Sequence, residues 1–175
     1  AREYFKVIGN TQRKFAPNHL VFGERFGSNS LNIYETVVVE VVEEMLPYVD
    51  AIAVQPPFHS KFPKEDFDKI YKLTQKPIMI CDFAIRFKDG DKDIRGWKPE
   101  SDSIAAGKAY SQYIKDAFKT KYVFGSFWCT PVDTKVGFGK QGVKQGFFNY
   151  DLSPRIGLYE SVKVLNQFIL TQTPN

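Results

Sequence analysis

A chain of 175 residues, 43% hydrophobic and 25% charged, has room for one domain with a substantial core, and this balance argues against both disorder and a membrane protein. The net charge of +4 is spread along the length without a dense Lys/Arg cluster, which argues against a nucleic-acid partner. Aromatic residues are in excess, with 16 Phe, 9 Tyr and 2 Trp, enough to fill a large core and also to line a groove that stacks flat rings.

In chain order, residues 2–14 carry Tyr4, Phe5, Val7 and Ile8 at helical spacing, and Ala16-Pro17-Asn18 stops that helix. Residues 19–23 are a short apolar run read as a strand, and Glu24-Arg25-Phe26-Gly27 follows it without a turn. A polar loop over 28–32 leads to a helix over 34–46, ended by Pro47. Residues 49–54 are continuously apolar after Asp50, the pattern of a strand covered on both faces, and close on Gln55-Pro56-Pro57-Phe58-His59.

A helix over 67–73 has Glu65 and Asp66 near its first turn, where the helix dipole favours acids. Residues 76–81 form the third strand, ending on Asp82-Phe83, and 86–100 read as a long loop. Ser101 or Asp102 caps a helix running to about residue 119. The fourth strand, 122–128, ends at Cys129-Thr130-Pro131-Val132-Asp133. A Gly-rich polar loop spans 135–145, an extended piece follows at Gly146-Phe147-Phe148, and residues 156–169 form the closing helix.

Cys81 and Cys129 sit in apolar segments and read as free buried thiols. No apolar run approaches a membrane span of roughly 20 residues, and the N-terminus lacks the regions of a signal peptide. The absence of an initiator Met points to processing or truncation.

Strand then helix, four times over, predicts an α/β fold of parallel strands joined by right-handed crossovers, in a single domain over 1–175. The first strand has no Gly-rich phosphate turn after it, which counts against a nucleotide-binding open sheet. The functional residue types recur at the C-terminal ends of the strands, where (β/α)8 barrels build their sites. Glu24, Arg25, Gln55, His59, Asp82, Trp128 and Asp133 are therefore expected on one face.

Paired carboxylates across a cleft are what glycoside hydrolysis requires. Asp82 leads, because a carboxylate directly after the buried run 77–81 is costly unless paired or used. Glu24 is the second candidate, and a single carboxylate at a strand end also serves as a cap or salt-bridge partner. Arg25 reads as a substrate contact or as an ion-pair partner of Glu24. Trp128 reads as a platform beneath a sugar ring or as a rim residue capping the core. Gln55, His59 and Asp133 read as contacts to sugar hydroxyls, His59 also as a surface histidine. Glu24, His59, Asp82 and Asp133 are acceptable metal ligands, but with two histidines and no His-x-His or His-x-x-x-His pair no metal site and no cofactor is expected. A Gly-x-Ser-x-Gly nucleophile elbow is absent.

The order of Tyr4-Phe5, the run from Ala16 through His19-Leu20-Val21-Phe22-Gly23-Glu24-Arg25-Phe26, Val49-Asp50-Ala51-Ile52, Lys76-Pro77-Ile78-Met79-Ile80-Cys81-Asp82-Phe83 and Val123-Phe124-Gly125-Ser126-Phe127-Trp128 resembles clan A glycoside hydrolases of the β-agarase kind, over most of the chain. The resemblance implies the fifth to eighth strands of a (β/α)8 barrel, that is, its C-terminal half. It also implies retaining hydrolysis of a β-linked galactan, with two carboxylates about 5–5.5 Å apart. It places Asp82 at the family's nucleophile position and Trp128 at the aromatic floor. Two departures follow: the family nucleophile is normally Glu, one methylene longer, and the family's acid/base falls upstream of residue 1. The expected partners are accordingly a polysaccharide and either the other half-barrel or a second copy of the chain, since a half-barrel leaves two sheet edges unpaired. A secreted or periplasmic location is implied by the family analogy alone.

Overall fold

A computed structural model describes residues 1–27, 37–57, 59–88, 98–135 and 144–172. Its elements alternate: α1 (Arg2–Phe15), β1 (Arg25–Gly27), α2 (Val39–Met45) running into a 3-10 turn (Leu46–Tyr48), β2 (Ile52–Gln55), α3 (Lys64–Thr74), β3 (Ile78–Phe83), α4 (Ser103–Phe118), β4 (Val123–Trp128) and α5 (Ile156–Thr171). The strands form one sheet in the order β1-β2-β3-β4, and β1–β2 and β2–β3 pair in parallel. The chain packs as two compact units. The first comprises Ala1–Pro57, Pro63–Phe83 and Ala117–Phe127, and the second Phe58–Phe62, Ala84–Asp116 and Trp128–Asn175.

In the first unit, α1 carries Glu3 in its first turn and Arg13 and Lys14 in its last, each complementing the helix dipole. It buries Phe5 and Gly9. A methyl group on Gly9 would lie 2.6 Å from the Tyr48 Cβ, so the missing side chain is what lets the 3-10 turn approach. The core of this unit is built from Val42, Met45, Ile52, Val54, Phe67, Ile70, Ile78 and Ile80, none more than 1% exposed. Each such side chain contributes roughly 1.5–3 kcal/mol by leaving water.

The first strand lies further along than the apolar run 19–23 suggests. Val21 has its backbone needs met without a ladder: its N–H donates to Asp50 Oδ2 at 2.8 Å, and its carbonyl accepts from Asp50 N at 2.7 Å and Ala51 N at 3.4 Å. Gly23 then turns the chain with φ +69°, and pairing starts at Arg25. The helix expected over 34–46 is shorter, beginning at Val39; its residues 34–36 lie outside the described residues. Asp82, read as following its strand, lies within it, and Trp128 ends β4 as the sequence suggests.

In the second unit Asp102 caps α4, its Oδ1 accepting from Ala105 N at 2.8 Å. Tyr113, Ile114, Leu158 and Leu165 are buried here, and Gly107 and Gly157 admit Ser161 and Ile104 at close approach between α4 and α5. The long loop expected over 86–100 is pinned at its base by a Phe87–Glu100 bridge, while 89–97 lie outside the described residues. So do 136–143 of the second loop. Among the described residues no helix is long and apolar enough to cross a membrane.

Candidate functional site: a clamped aspartate and an aromatic cluster

Strand register decides which side chains meet. Arg25 pairs with Ala53, Gly27 with Gln55 and Ala53 with Met79, so Arg25, Ala53, Gln55, Met79 and Cys81 share one face of the sheet. Ile78 and Ile80 point to the other and are fully buried. Strict alternation would send Asp82 after them. Its φ of +52° breaks the alternation, a left-handed conformation that Asp tolerates better than most non-glycine residues and that is held only when its surroundings over-determine it.

The carboxylate of Asp82 consequently reaches the Arg25 face. Its Oδ2 accepts from Arg25 Nη1 and from Gln55 Nε2 at 2.8 Å, and Gln55 Nε2 also lies 3.2 Å from the Asp82 carbonyl oxygen. Gly27, next to Gln55, offers no side chain to crowd it; a methyl there would come within 3.3 Å of Gln55 Oε1. Asp82 Oδ1 has no partner among the described residues, and the side chain is 34% exposed. The neighbouring Cys81 thiol is pushed up by burial, with Arg25 opposing and Asp82 adding to the shift, so it stays protonated at neutral pH.

Glu24 does not join this group by any contact of the structure. It lies one residue before β1, outside the paired strand, and its Oε1 accepts from Tyr4 Oη of α1 at 2.5 Å. That bond raises the Tyr4 hydroxyl's pKa, with burial and the Glu24 charge acting the same way. Arg25 therefore pairs with Asp82, not with Glu24.

His59, Trp128 and Asp133 belong to the second unit. Trp128 stands edge-on to Tyr110, with centroids 4.8 Å apart, and tilts against Phe147 at 4.6 Å. Its indole N–H donates to the Gln145 carbonyl at 3.1 Å. Asp133 is 7% exposed, and its carboxylate is committed to the fold: Oδ2 accepts from Arg155 Nη2 at 2.7 Å and Oδ1 from Gly146 N at 2.8 Å. Arg155 continues to the Gly146 carbonyl and Asn149 Oδ1, both at 2.8 Å. This network fixes the segment that carries Gln145 and Phe147. Glycine is required at 146, since a methyl there would sit 2.7 Å from the Pro131 carbonyl oxygen.

His59 Nε2 is buried with no partner among the described residues, and burial pulls the imidazole below its ordinary 6.5. Neither cysteine forms a disulfide. Among the described residues no three His, Cys, Asp or Glu side chains gather as a metal site would require.

Tyr4, Arg155 and Gln145 went unread in the sequence. Tyr4 looked like one apolar position of an amphipathic helix, and Arg155 like an ordinary charge before a helix. Gln145 closes a polar loop, where nothing distinguishes a buried amide from a solvated one.

No protein-family model matches the chain, and no curated protein does. Solved structures do. An exo-beta-agarase matches 97% of this chain with a TM-score of 0.80 and 23% identity, the match covering 22% of that chain. The agarase AgWH50C matches 96% of it at 0.80 and 20% identity, over 25% of that chain. A beta-D-glucuronidase from Dictyoglomus thermophilum matches 95% at 0.64 and 16% identity, over 29% of that chain. The chain thus spans about a quarter of the length of the agarases it resembles. At these identities the likeness establishes fold: parallel β/α units forming half of a (β/α)8 barrel, of the type carried by glycoside hydrolases.

Proposed function

We propose that this chain is the C-terminal part of a glycoside hydrolase acting on a β-linked polysaccharide of the agarose or galactan kind, with Asp82 at the nucleophile position. The observation that carries the reading is the asymmetry of the Asp82 carboxylate among the described residues: two donors on Oδ2, none on Oδ1, and a left-handed backbone that aims both away from the buried face. In a retaining reaction Oδ1 attacks the anomeric carbon and the bond from that carbon to the leaving oxygen breaks. The leaving oxygen takes a proton from an acid carboxyl. Water, deprotonated by the resulting carboxylate of that acid, then cleaves the glycosyl ester and frees Oδ1. Arg25 and Gln55 hold Oδ2 through both steps and orient the carboxylate.

Glu24 is tied to Tyr4 and shares no partner with Asp82, so we assign the acid to a carboxylate supplied by the rest of the barrel, in line with the family resemblance. Trp128, flanked by Tyr110 and Phe147, offers a stacking surface for a sugar, and His59 a neutral imidazole for a hydroxyl. Asp133 we assign to holding the Gln145–Phe147 segment and not to the substrate.

The Arg25 ion pair also suits a second reading, in which Asp82 is a fixed polar anchor in a carbohydrate-binding half-barrel without turnover. Asp82→Ala in the full-length protein, assayed on agarose and other β-galactans, separates the two. The first reading expects a loss of about a thousandfold or more, with partial rescue by azide acting as a small nucleophile. Unchanged turnover removes Asp82 from the chemistry. Binding without turnover in the unaltered protein supports the second reading.

A further inference from the structure

Five non-glycine residues among those described have a positive φ: Gln75, Asp82, Lys121, Thr130 and Leu152. Gln75 caps the end of α3. Lys121 and Leu152 close turns, their N–H groups donating to the Phe118 and Asn149 carbonyls. These are ordinary places for a left-handed residue. Asp82 is held by the clamp described above. Thr130, at φ +58°, is the one β-branched residue of the five, the side-chain type that this conformation penalises most. It follows β4, whose last residue is Trp128.

The conformation of Thr130 has a cause in the fold, and its side chain does not. The backbone is pinned on both sides: the Cys129 carbonyl accepts from Gln145 Nε2 at 3.1 Å, and the Pro131 carbonyl accepts from Phe148 N at 3.1 Å. The chain must turn between these two bonds, and glycine would make the turn without strain. What threonine adds is a hydroxyl and a methyl. Among the described residues that hydroxyl meets only Cys129 Sγ, at 3.5 Å, and sulfur is a weak partner that is readily exchanged. The residue is not part of the buried core: it is partly exposed, and Pro131 after it is exposed. Strain of this kind, left without return from the fold, is characteristic of binding and active sites. Thr130 also stands just past the C-terminal end of a parallel strand, where barrels build their sites. We propose that Thr130 is a specificity-determining residue, its hydroxyl exchanging Cys129 Sγ for a hydroxyl of the bound carbohydrate. The assignment rests on the carbohydrate reading above and adds a polar contact to the stacking surface of Trp128, two residues before it.

The test compares Thr130→Gly and Thr130→Ser with the unaltered full-length protein, in urea unfolding and in steady-state kinetics on an agarose tetrasaccharide. Thr130→Gly removes the strain and the hydroxyl together. Its urea midpoint is expected to be unchanged or higher, while KM rises roughly five- to tenfold with kcat little altered. Thr130→Ser keeps the hydroxyl and is expected to hold KM within about twofold of the unaltered protein. A merely structural Thr130 would lower the urea midpoint in Thr130→Gly, which overturns the proposal. So does a KM that Thr130→Gly leaves unchanged, or one that Thr130→Ser raises as far as Thr130→Gly does. Failure of the unaltered protein to bind or cleave the tetrasaccharide and other β-galactans overturns the carbohydrate reading itself, and this one with it.

Discussion

Gln55 donates to the same Asp82 oxygen that Arg25 holds, and its Nε2 also lies within reach of the Asp82 carbonyl. One amide thus bridges the side chain and the main chain of a residue in a left-handed conformation. The bridge determines where Oδ1 points.

Gln55→Leu is therefore expected to lower kcat on the order of a hundredfold with KM little changed, since it removes one of two preorganised donors without touching the sugar surface. Asp82→Glu is expected to lower kcat as well. The extra methylene carries the carboxylate past the point on which Arg25 and Gln55 converge, even though it restores the residue type that the family resemblance implies. Steady-state kinetics in the full-length protein checks both, and an Asp82→Glu variant more active than the unaltered protein would show that the clamp is not tuned to aspartate.

The Asp133–Arg155 pair is 7% and 14% exposed and bonded on nearly every polar atom. Asp133→Leu leaves the guanidinium buried without an anion, and a loss of about 3 kcal/mol is expected. Replacing both partners with Leu and Met is expected to cost less than either single change, because no uncompensated charge remains. Urea unfolding followed by Trp fluorescence measures all three; a double variant worse than both singles would contradict the desolvation argument.

His59 supplies a pH signature. Burial lowers its folded pKa below 6.5, so below 6.5 the unfolded chain binds a proton that the folded chain refuses. The stability tied to a neutral His59 is complete above pH 6.5 and declines as pH falls below it toward the folded pKa, by at most about 1.4 kcal/mol per pH unit. Between about pH 7.5 and 5.5 the natural protein is expected to lose more stability than His59→Gln, which has no proton to take up. Equal losses would mean that His59 titrates freely. An NMR titration of its ring protons gives the same answer directly.

The alternation of elements and the location of Asp82 were legible because both depend on local patterning: apolar runs of strand length, helical stripes, and a carboxylate set against a buried segment. What was not legible depends on backbone angles and distant partners. No residue type announces that Asp82 leaves the strand alternation, since the cause is a single φ in a non-glycine residue. Asp133 looked available for a ligand because its partner, Arg155, lies 22 residues further on. Glu24 looked like a neighbour of Asp82 because it follows the apolar run 19–23 as if at a strand's C-terminal end, whereas it stands just before the paired strand and bonds Tyr4 on α1. The Val21 region mimicked a strand because it is apolar and extended, with its ladder bonds replaced by the Asp50 side chain and backbone.

The sheet itself carries the last expectation. Its order is β1-β2-β3-β4, so among the described residues β1 and β4 each have one strand neighbour and one open edge. Parallel strands are ordinarily buried on both faces and rarely end a sheet in water. On β4, Phe124 is 40% and Phe127 64% exposed, and on α1 Val7 and Phe15 are 61% and 76% exposed. Large exposed apolar side chains, those of β4 on a strand with an open edge, favour association over solvation. The 20.1 kDa chain is expected to self-associate at micromolar concentration, or to bind a separately expressed other half of the barrel and then become monodisperse. Size exclusion with light scattering distinguishes these states by mass. Phe127→Lys places a charge at the open edge and is expected to weaken association without unfolding the chain, because that side chain is already mostly in water. A stable monomer of the unaltered chain at that concentration would refute the expectation.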